Sequence, residues 1–203
     1  MFISFEGIDG SGKTTQLQRL AARLRDNELE VVATREPGGT RLAESIRAML
    51  LGDADAPDAR AELLLFGAAR AVHVAQIIRP ALEAGMWVVC DRFADSSLAY
   101  QGGGLGLDAE FIATMNRFAT NGLTPKKTFF LDVSPEIGMA RRRESQPDHI
   151  EARGEGFLAK VRASYLQIAE REHERFVPLN GAKSPDDLEE EIWARVQPFL
   201  VGA

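Results

Sequence analysis

The chain has 203 residues, enough for one compact domain, and its 45% hydrophobic and 27% charged content is that of a soluble globular protein. A net charge of −6 argues against a general nucleic-acid partner or a membrane-surface partner, leaving room only for a local basic site. The single Cys90 excludes an intrachain disulfide, no Cys/His set has zinc spacing, and no charged-then-apolar leader or long apolar run stands out. A cytoplasmic location is therefore expected.

The chain opens on Met1-Phe2-Ile3-Ser4-Phe5-Glu6, an apolar run that reads as a buried strand. Behind it comes Gly7-Ile8-Asp9-Gly10-Ser11-Gly12-Lys13-Thr14, a match to G-x-x-x-x-G-K-[ST]. Glycines let the chain curl so that backbone N–H groups point into one concavity. From Lys13 onward, Leu17, Leu20, Ala21 and Leu24 stand at helical spacing. A helix N-terminus beyond a curled loop is an anion site; Lys13 adds a positive charge for outer phosphates, and the Thr14 hydroxyl is a Mg2+ ligand. The stretch predicts binding of a nucleoside triphosphate.

A second strand is expected over Leu29–Thr34, ending in the charged turn Arg35-Glu36-Pro37-Gly38-Gly39-Thr40. A helix follows through Leu42, Ile46, Met49 and Leu50, then an acidic loop from Gly52 to Pro57. A long helix is expected from Ala59 to Ala84, with Pro80 as its kink. Trp87-Val88-Val89-Cys90 suits a central parallel strand and delivers Asp91-Arg92 at its carboxyl end. Next come a helical piece over Ser96–Tyr100 closed by Gly102–Gly104, a helix from Asp108 to Thr120 and a strand Thr128–Asp132. A helix carrying Arg141-Arg142-Arg143 leads into a polar segment that ends at Gly156. A helix from Phe157 to Glu174, a strand over Phe176–Leu179 and a terminal helix from Pro185 complete the chain. Strands alternating with helices predict an α/β fold, a parallel sheet between helical layers, in a single domain. Ligands of such sheets gather beyond the strands' carboxyl ends, where the glycine loop, Arg35-Glu36, Asp91-Arg92 and Asp132 fall.

A GTPase switch needs a guanine-reading N-K-x-D, which is absent, and a motor or regulatory ATPase needs further domains. A small phosphotransferase needs an acceptor site, an anion clamp and a lid. Phe66 and Arg70 share a helix face, where a ring stacks on a base and a guanidinium donates to its carbonyl, although core and solvated-charge roles fit an isolated pair equally well. Ser97, Tyr100 and Gln101 share another such face. Gln101 offers the donor and acceptor that a pyrimidine imide edge requires, whereas Tyr100 taken alone reads as core. Arg92 beside Asp91 suits a phosphate clamp next to an acid that helps hold hydrated Mg2+, or else a salt-bridged strand end. Arg35 and Glu36 admit the same two readings. His73 reads as a structural histidine, and Asp132 as structural or remotely electrostatic.

Four stretches together, Phe5–Thr15, Thr34–Thr40, Leu64–Arg70 and Asp91–Gly104, resemble the thymidylate kinases, and the likeness extends to Leu131-Asp132-Val133. The resemblance implies the three-layer P-loop kinase fold with a central sheet of about five strands. It also implies phosphorylation of dTMP to dTDP with ATP and Mg2+, for dTTP synthesis and DNA replication, in a homodimer. By the same resemblance, Gly7, Ile8, Asp9, Gly10, Ser11, Gly12, Lys13, Thr14 and Thr15 hold the ATP phosphates, and Thr14 and Asp91 serve the metal. Phe66 stacks on thymine, Arg70 bonds its O4, Ser97 and Gln101 complete the base contacts, and Tyr100 crowds the sugar 2′ position. Asp9 contacts the 3′-hydroxyl or acts with the acceptor phosphate, which Arg92 and Arg35 hold, while Glu36 and Asp91 assist near the metal.

Gly10 occupies the position where some members carry an arginine, so the chain resembles the bacterial type, which supplies it from a lid, here about 141–156. Arg141, Arg142, Arg143 and Arg153 are the candidates, with Arg143 or Arg142 expected to reach the ATP phosphates. The lid departs from the family pattern, with His149 where arginine is usual, and Gly67 stands where a larger residue is common. The alternatives are a kinase for another monophosphate such as dUMP or dCMP, and a nucleotide sensor that transfers nothing.

Overall fold

The computed structural model describes residues 1–52, 57–142 and 150–202. Five parallel strands form one sheet in the order β2-β3-β1-β4-β5: β1 (Phe2–Glu6), β2 (Val31–Arg35), β3 (Trp87–Asp91), β4 (Lys127–Asp132) and β5 (Phe176–Asn180). β1 is buried along its whole length because it lies in the middle, with a helical layer on each face.

Strand alternation decides which layer each side chain meets. Ile3, Phe5, Val89 and Phe129 pack with Leu17, Leu20 and Leu24 of α1 (Lys13–Asp26) and with Leu188, Ile192 and Val196 of α9 (Pro185–Val196). On the opposite face Phe130 and Phe176 meet Tyr165 and Ile168 of α8 (Glu155–Arg171), while Phe2, Val88 and Cys90 meet Val74 and Ile78. Each fully buried large apolar side chain contributes about 1.5–3 kcal/mol. Ser4 and Glu6 share the second face, and Ser4 meets the Thr128 hydroxyl at 2.8 Å.

The expected long helix is α3 (Ala59–His73), a wide turn at Val74–Ile78 and α4 (Arg79–Glu83). Proline at 80 has no N–H and its ring would strike the preceding turn, so the ladder widens ahead of it and Arg79 N–H reaches Val74 O. This run holds an 18-residue window of mean hydropathy 1.4, long and apolar enough by length and composition alone to cross a membrane. It nevertheless buries Glu62, Arg70 and His73, all with protein partners, a load suited to a helix inside a folded core.

α2 (Arg41–Leu51) lies against α3, and α6 (Ala109–Ala119) packs on α3 from elsewhere. Met115 of α6 fills the space beside Gly67, where a Cβ would stand 2.8 Å from its sulfur. α5 (Ala94–Ser97) runs into a second wide turn, Leu98–Gly104, against α8. Such turns recur at functional sites. α7 (Pro135–Arg141) ends before Arg142; Arg143 and His149 lie outside the described residues.

Candidate active site

The strand ends β1, β2 and β3 deliver three short segments to one rim of the sheet. After Glu6 the chain turns through Gly7, Gly10 and Gly12, all at positive φ, before α1 begins at Lys13. A side chain at Gly10 is excluded twice: its φ is +78°, and a Cβ would lie 2.2 Å from the Gly138 carbonyl of α7. Lys13 is buried; its Nζ donates to Ile8 O at 3.0 Å and stands 3.7 Å from Asp9. Burial, then the Arg92 charge, lowers its pKa against the pull of Asp9 and Asp91. Ser11 Oγ is buried with no hydrogen-bond partner inside the loop.

At the end of β3 the Thr14 hydroxyl donates to Asp91 Oδ2 at 2.5 Å. These are hard oxygen donors, side by side at the mouth of the phosphate loop, and they fit Mg2+. Arg92 follows at φ +68°, a left-handed conformation that few non-glycine residues adopt. Its guanidinium donates to Asp9 at 2.7 Å, Tyr100 OH at 3.0 Å, Ser96 Oγ at 3.3 Å and Tyr165 OH at 3.4 Å. Burial works to raise the Asp9 pKa, but Arg92 and Lys13 outweigh it and hold the carboxyl well below the usual range.

Beneath Arg92 lies Glu6, fully buried, which accepts from Phe93 N–H at 2.8 Å, Ser96 Oγ at 2.6 Å and Tyr165 OH at 2.7 Å. Burial, then the Asp95 charge, pushes its carboxyl up to about 7. Both hydroxyls donate to Glu6 and so present lone pairs to Arg92.

Two cavities open here. One, of about 710 Å³, is lined by Asp9 to Gln16 of the glycine loop and α1, with Arg35, Asp91, Arg141, Arg142 and Lys183 among its other walls. The second, of about 130 Å³, is lined by Phe66, Leu51, Ser96, Ser97, Tyr100 and Gln101 among others. Asp9, Glu36, Arg47 and Arg92 line both.

The sequence-derived residues fall into this arrangement unevenly. Arg70 is 1% exposed, and four of its five N–H donors are spent on protein: Glu36 at 2.8 Å, Ser97 at 3.0 Å, Asn116 at 2.6 Å and Phe93 O at 3.2 Å. It therefore holds Glu36 and Ser97, both in the wall of the smaller cavity, and keeps one Nη2 hydrogen. His73 bridges Glu36 at 3.1 Å and Thr34 at 2.7 Å, a structural role. Arg35 lines the larger cavity while its guanidinium makes a forked pair with Glu44 at 2.9 Å. Arg141 donates to Gly181 O at 2.9 Å and Gly10 O at 3.4 Å, tying α7 to the loop. Arg142 lines the larger cavity, and its charge acts on Asp9. Arg153 pairs with Glu62, away from that cavity, and Asp132 pairs with Arg162 at 2.6 Å. Sequence reasoning missed Arg47, a cation beside the apolar stripe of α2 that donates to Pro37 O at 3.0 Å. It also missed Glu6, hidden within an apolar strand.

A glycine loop heading a parallel sheet, with a second cavity set against the first, defines a P-loop phosphotransferase of the nucleoside monophosphate kinase class. The thymidylate kinase family model matches residues 5–192. A thymidylate kinase from Pseudomonas putida is 48% identical, over 95% of this chain and 92% of its own length. One from Symbiobacterium thermophilum is 45% identical over 98% and 94%. The crystal structure of thymidylate kinase from Ehrlichia chaffeensis superposes with a TM-score of 0.79 at 37% identity, covering 97% of this chain and 98% of that one. The chain belongs to the thymidylate kinase family.

Proposed function

We infer that this protein transfers the γ-phosphoryl group of ATP to dTMP, giving ADP and dTDP, a step toward dTTP for DNA replication. The observation that carries the reading is the pair of cavities sharing Asp9, Glu36, Arg47 and Arg92. A phosphate group entering from either side meets the same cations.

The larger cavity takes ATP on the loop from Gly7 to Thr15, where backbone N–H groups, the Ser11 hydroxyl and Lys13 receive the phosphates. Mg2+, held near Thr14 and Asp91, neutralises charge on the phosphate oxygens when bound. The smaller cavity takes the nucleotide. Phe66 supplies the stacking face, the last Arg70 hydrogen faces the thymine carbonyl with Ser97 beside it, Gln101 reads the imide, and Tyr100 crowds the 2′ position. Arg92, Arg47 and Arg35 draw the acceptor phosphate toward the γ-phosphorus, with Asp9 fixing Arg92 and Glu44 fixing Arg35. A dTMP phosphate oxygen then attacks as the bond to the β–γ bridging oxygen breaks, and the electron pair leaves on ADP. The acceptor is already anionic, so the protein's work is positioning and charge neutralisation rather than base catalysis. Arg142, with Arg143 on the lid about 141–156, supplies further charge to the transferring group.

We place the reaction in the cytoplasm, within one domain and in a homodimer. The adjoining helices α2, α3 and α6 expose Leu42, Met49, Leu64, Phe111 and Phe118, the last 89% exposed, an apolar face suited to a second copy. Phe118→Asp is expected to shift the protein to monomer in light scattering; a wild-type monomer discards the dimer. ADP release with MgATP and dTMP, dUMP, dCMP, ribo-TMP and AMP tests the function. Turnover favouring dTMP is expected, and preference for another acceptor discards the base assignments.

A further inference from the structure

Glu62 is 0% exposed on α3, and the reaction just described gives it no task. Its Oε1 accepts from Gln101 Nε2 at 2.8 Å. Arg153, arriving from the short turn Glu151–Arg153, grips its other oxygen at 2.5 Å and reaches Oε1 at 3.3 Å. The Arg153 guanidinium rests over the Phe157 ring at 5.1 Å from its centroid, inside the about 6 Å at which a ring face attracts a cation. A carboxylate accepts and never donates, so it dictates which end of the Gln101 amide turns toward it. One N–H of the Gln101 amide is committed to Glu62, which fixes the orientation of the amide, and its oxygen is left to serve whatever fills the small cavity that Gln101 lines.

We propose that Glu62, held by Arg153, is a specificity-determining residue: it polarises Gln101 so that the pocket presents an acceptor and selects a base carrying an N–H at its ring edge. Thymine and uracil have that N–H at N3, whereas cytosine has a bare nitrogen there and would meet lone pair against lone pair. The inference rests on the acceptor-base pocket of the preceding section and names the group that sets its polarity. It also joins the far end of the 141–156 stretch to base recognition, because Arg153 acts on Gln101 through Glu62.

Glu62→Gln tests this with little change of shape. In that variant Arg153 still demands an oxygen, so the new amide turns its nitrogen toward Gln101. Gln101 then has to offer its own oxygen to that nitrogen and swing its NH2 into the pocket. The kcat/KM ratio of dTMP over dCMP is expected to fall at least ~10-fold, with the loss for dTMP mainly in KM. Removing the demand, in Glu62→Gln combined with Arg153→Met, is expected to restore part of the ratio. A purely structural role lowers both substrates together and leaves the ratio in place. A second readout needs no substrate: the Gln101 side-chain NH2 resonances in 15N NMR, assigned by their loss in Gln101→Ala. Slow solvent exchange of these protons in the wild type and faster exchange in Glu62→Gln are expected. An unchanged ratio or unchanged amide exchange overturns the proposal. A wild-type protein with no preference for dTMP refutes the functional reading and the selectivity claim together, and the amide readout then shows separately whether Glu62 holds Gln101.

Discussion

Replacing Arg70 with methionine removes a buried charge while keeping most of the side chain's volume. In the native protein its guanidinium serves Glu36, Ser97, Asn116 and the Phe93 carbonyl. The variant leaves Glu36, 5% exposed, with His73 at 3.1 Å as its remaining neighbour in this network, and strips Asn116 Oδ1 of its donor. Breaking one side of a buried ion pair costs about 3–5 kcal/mol, chiefly because the other charge is left uncompensated. At about 2–4 °C per kcal/mol for a chain of this size, the melting temperature is expected to drop by roughly 6–20 °C. The mechanism is tested by a double-mutant cycle in urea. Glu36→Gln in the Arg70→Met background removes the stranded charge, so the double variant is expected to be more stable than the sum of the singles by about 1.5 kcal/mol or more. A melting temperature within about 2 °C of wild type, or single effects that add within about 0.5 kcal/mol, would refute the picture of Arg70 as a buried organiser.

Lys13→Met is expected to reduce kcat by ~10³-fold or more, measured as ADP release, while far-ultraviolet dichroism stays unchanged; a reduction below tenfold removes Lys13 from the chemistry. Gly10→Ala adds a methyl at φ +78° against the Gly138 carbonyl and is expected to cost about 2 kcal/mol or more in urea unfolding, or to part α7 from the loop. The Glu6 carboxyl holds its proton up to about pH 7 when folded, against 4.5 as its ordinary value. Between those values the folded protein binds more protons than the unfolded chain, so this group makes stability fall as pH rises through the window. Glu6→Gln is expected to remove that slope from melting temperatures taken at pH 4.5–7, and an identical slope in the variant contradicts the burial argument.

Much of this protein follows from short-range pattern. The apolar runs at Phe2–Glu6 and Trp87–Asp91, and the glycine loop ahead of Lys13, depend on backbone sterics and on the two-residue and 3.6-residue periods, which act within a few residues. The parallel α/β layout, the phosphate loop and the location of Arg92 at a strand end were therefore legible before any folding. What lay beyond reach is pairwise and distant. Nothing local marks Arg47 as a wall of both cavities, or Arg70 as spent on Glu36 and Asn116, residues 34 and 46 positions away. Nor does it pair Glu62 with Arg153, 91 positions on, or place Met115 in the space beside Gly67. A charged side chain reads alike on a solvated face and in a core. Only the closing of helices onto the sheet strips its water away and makes its partners decide its role.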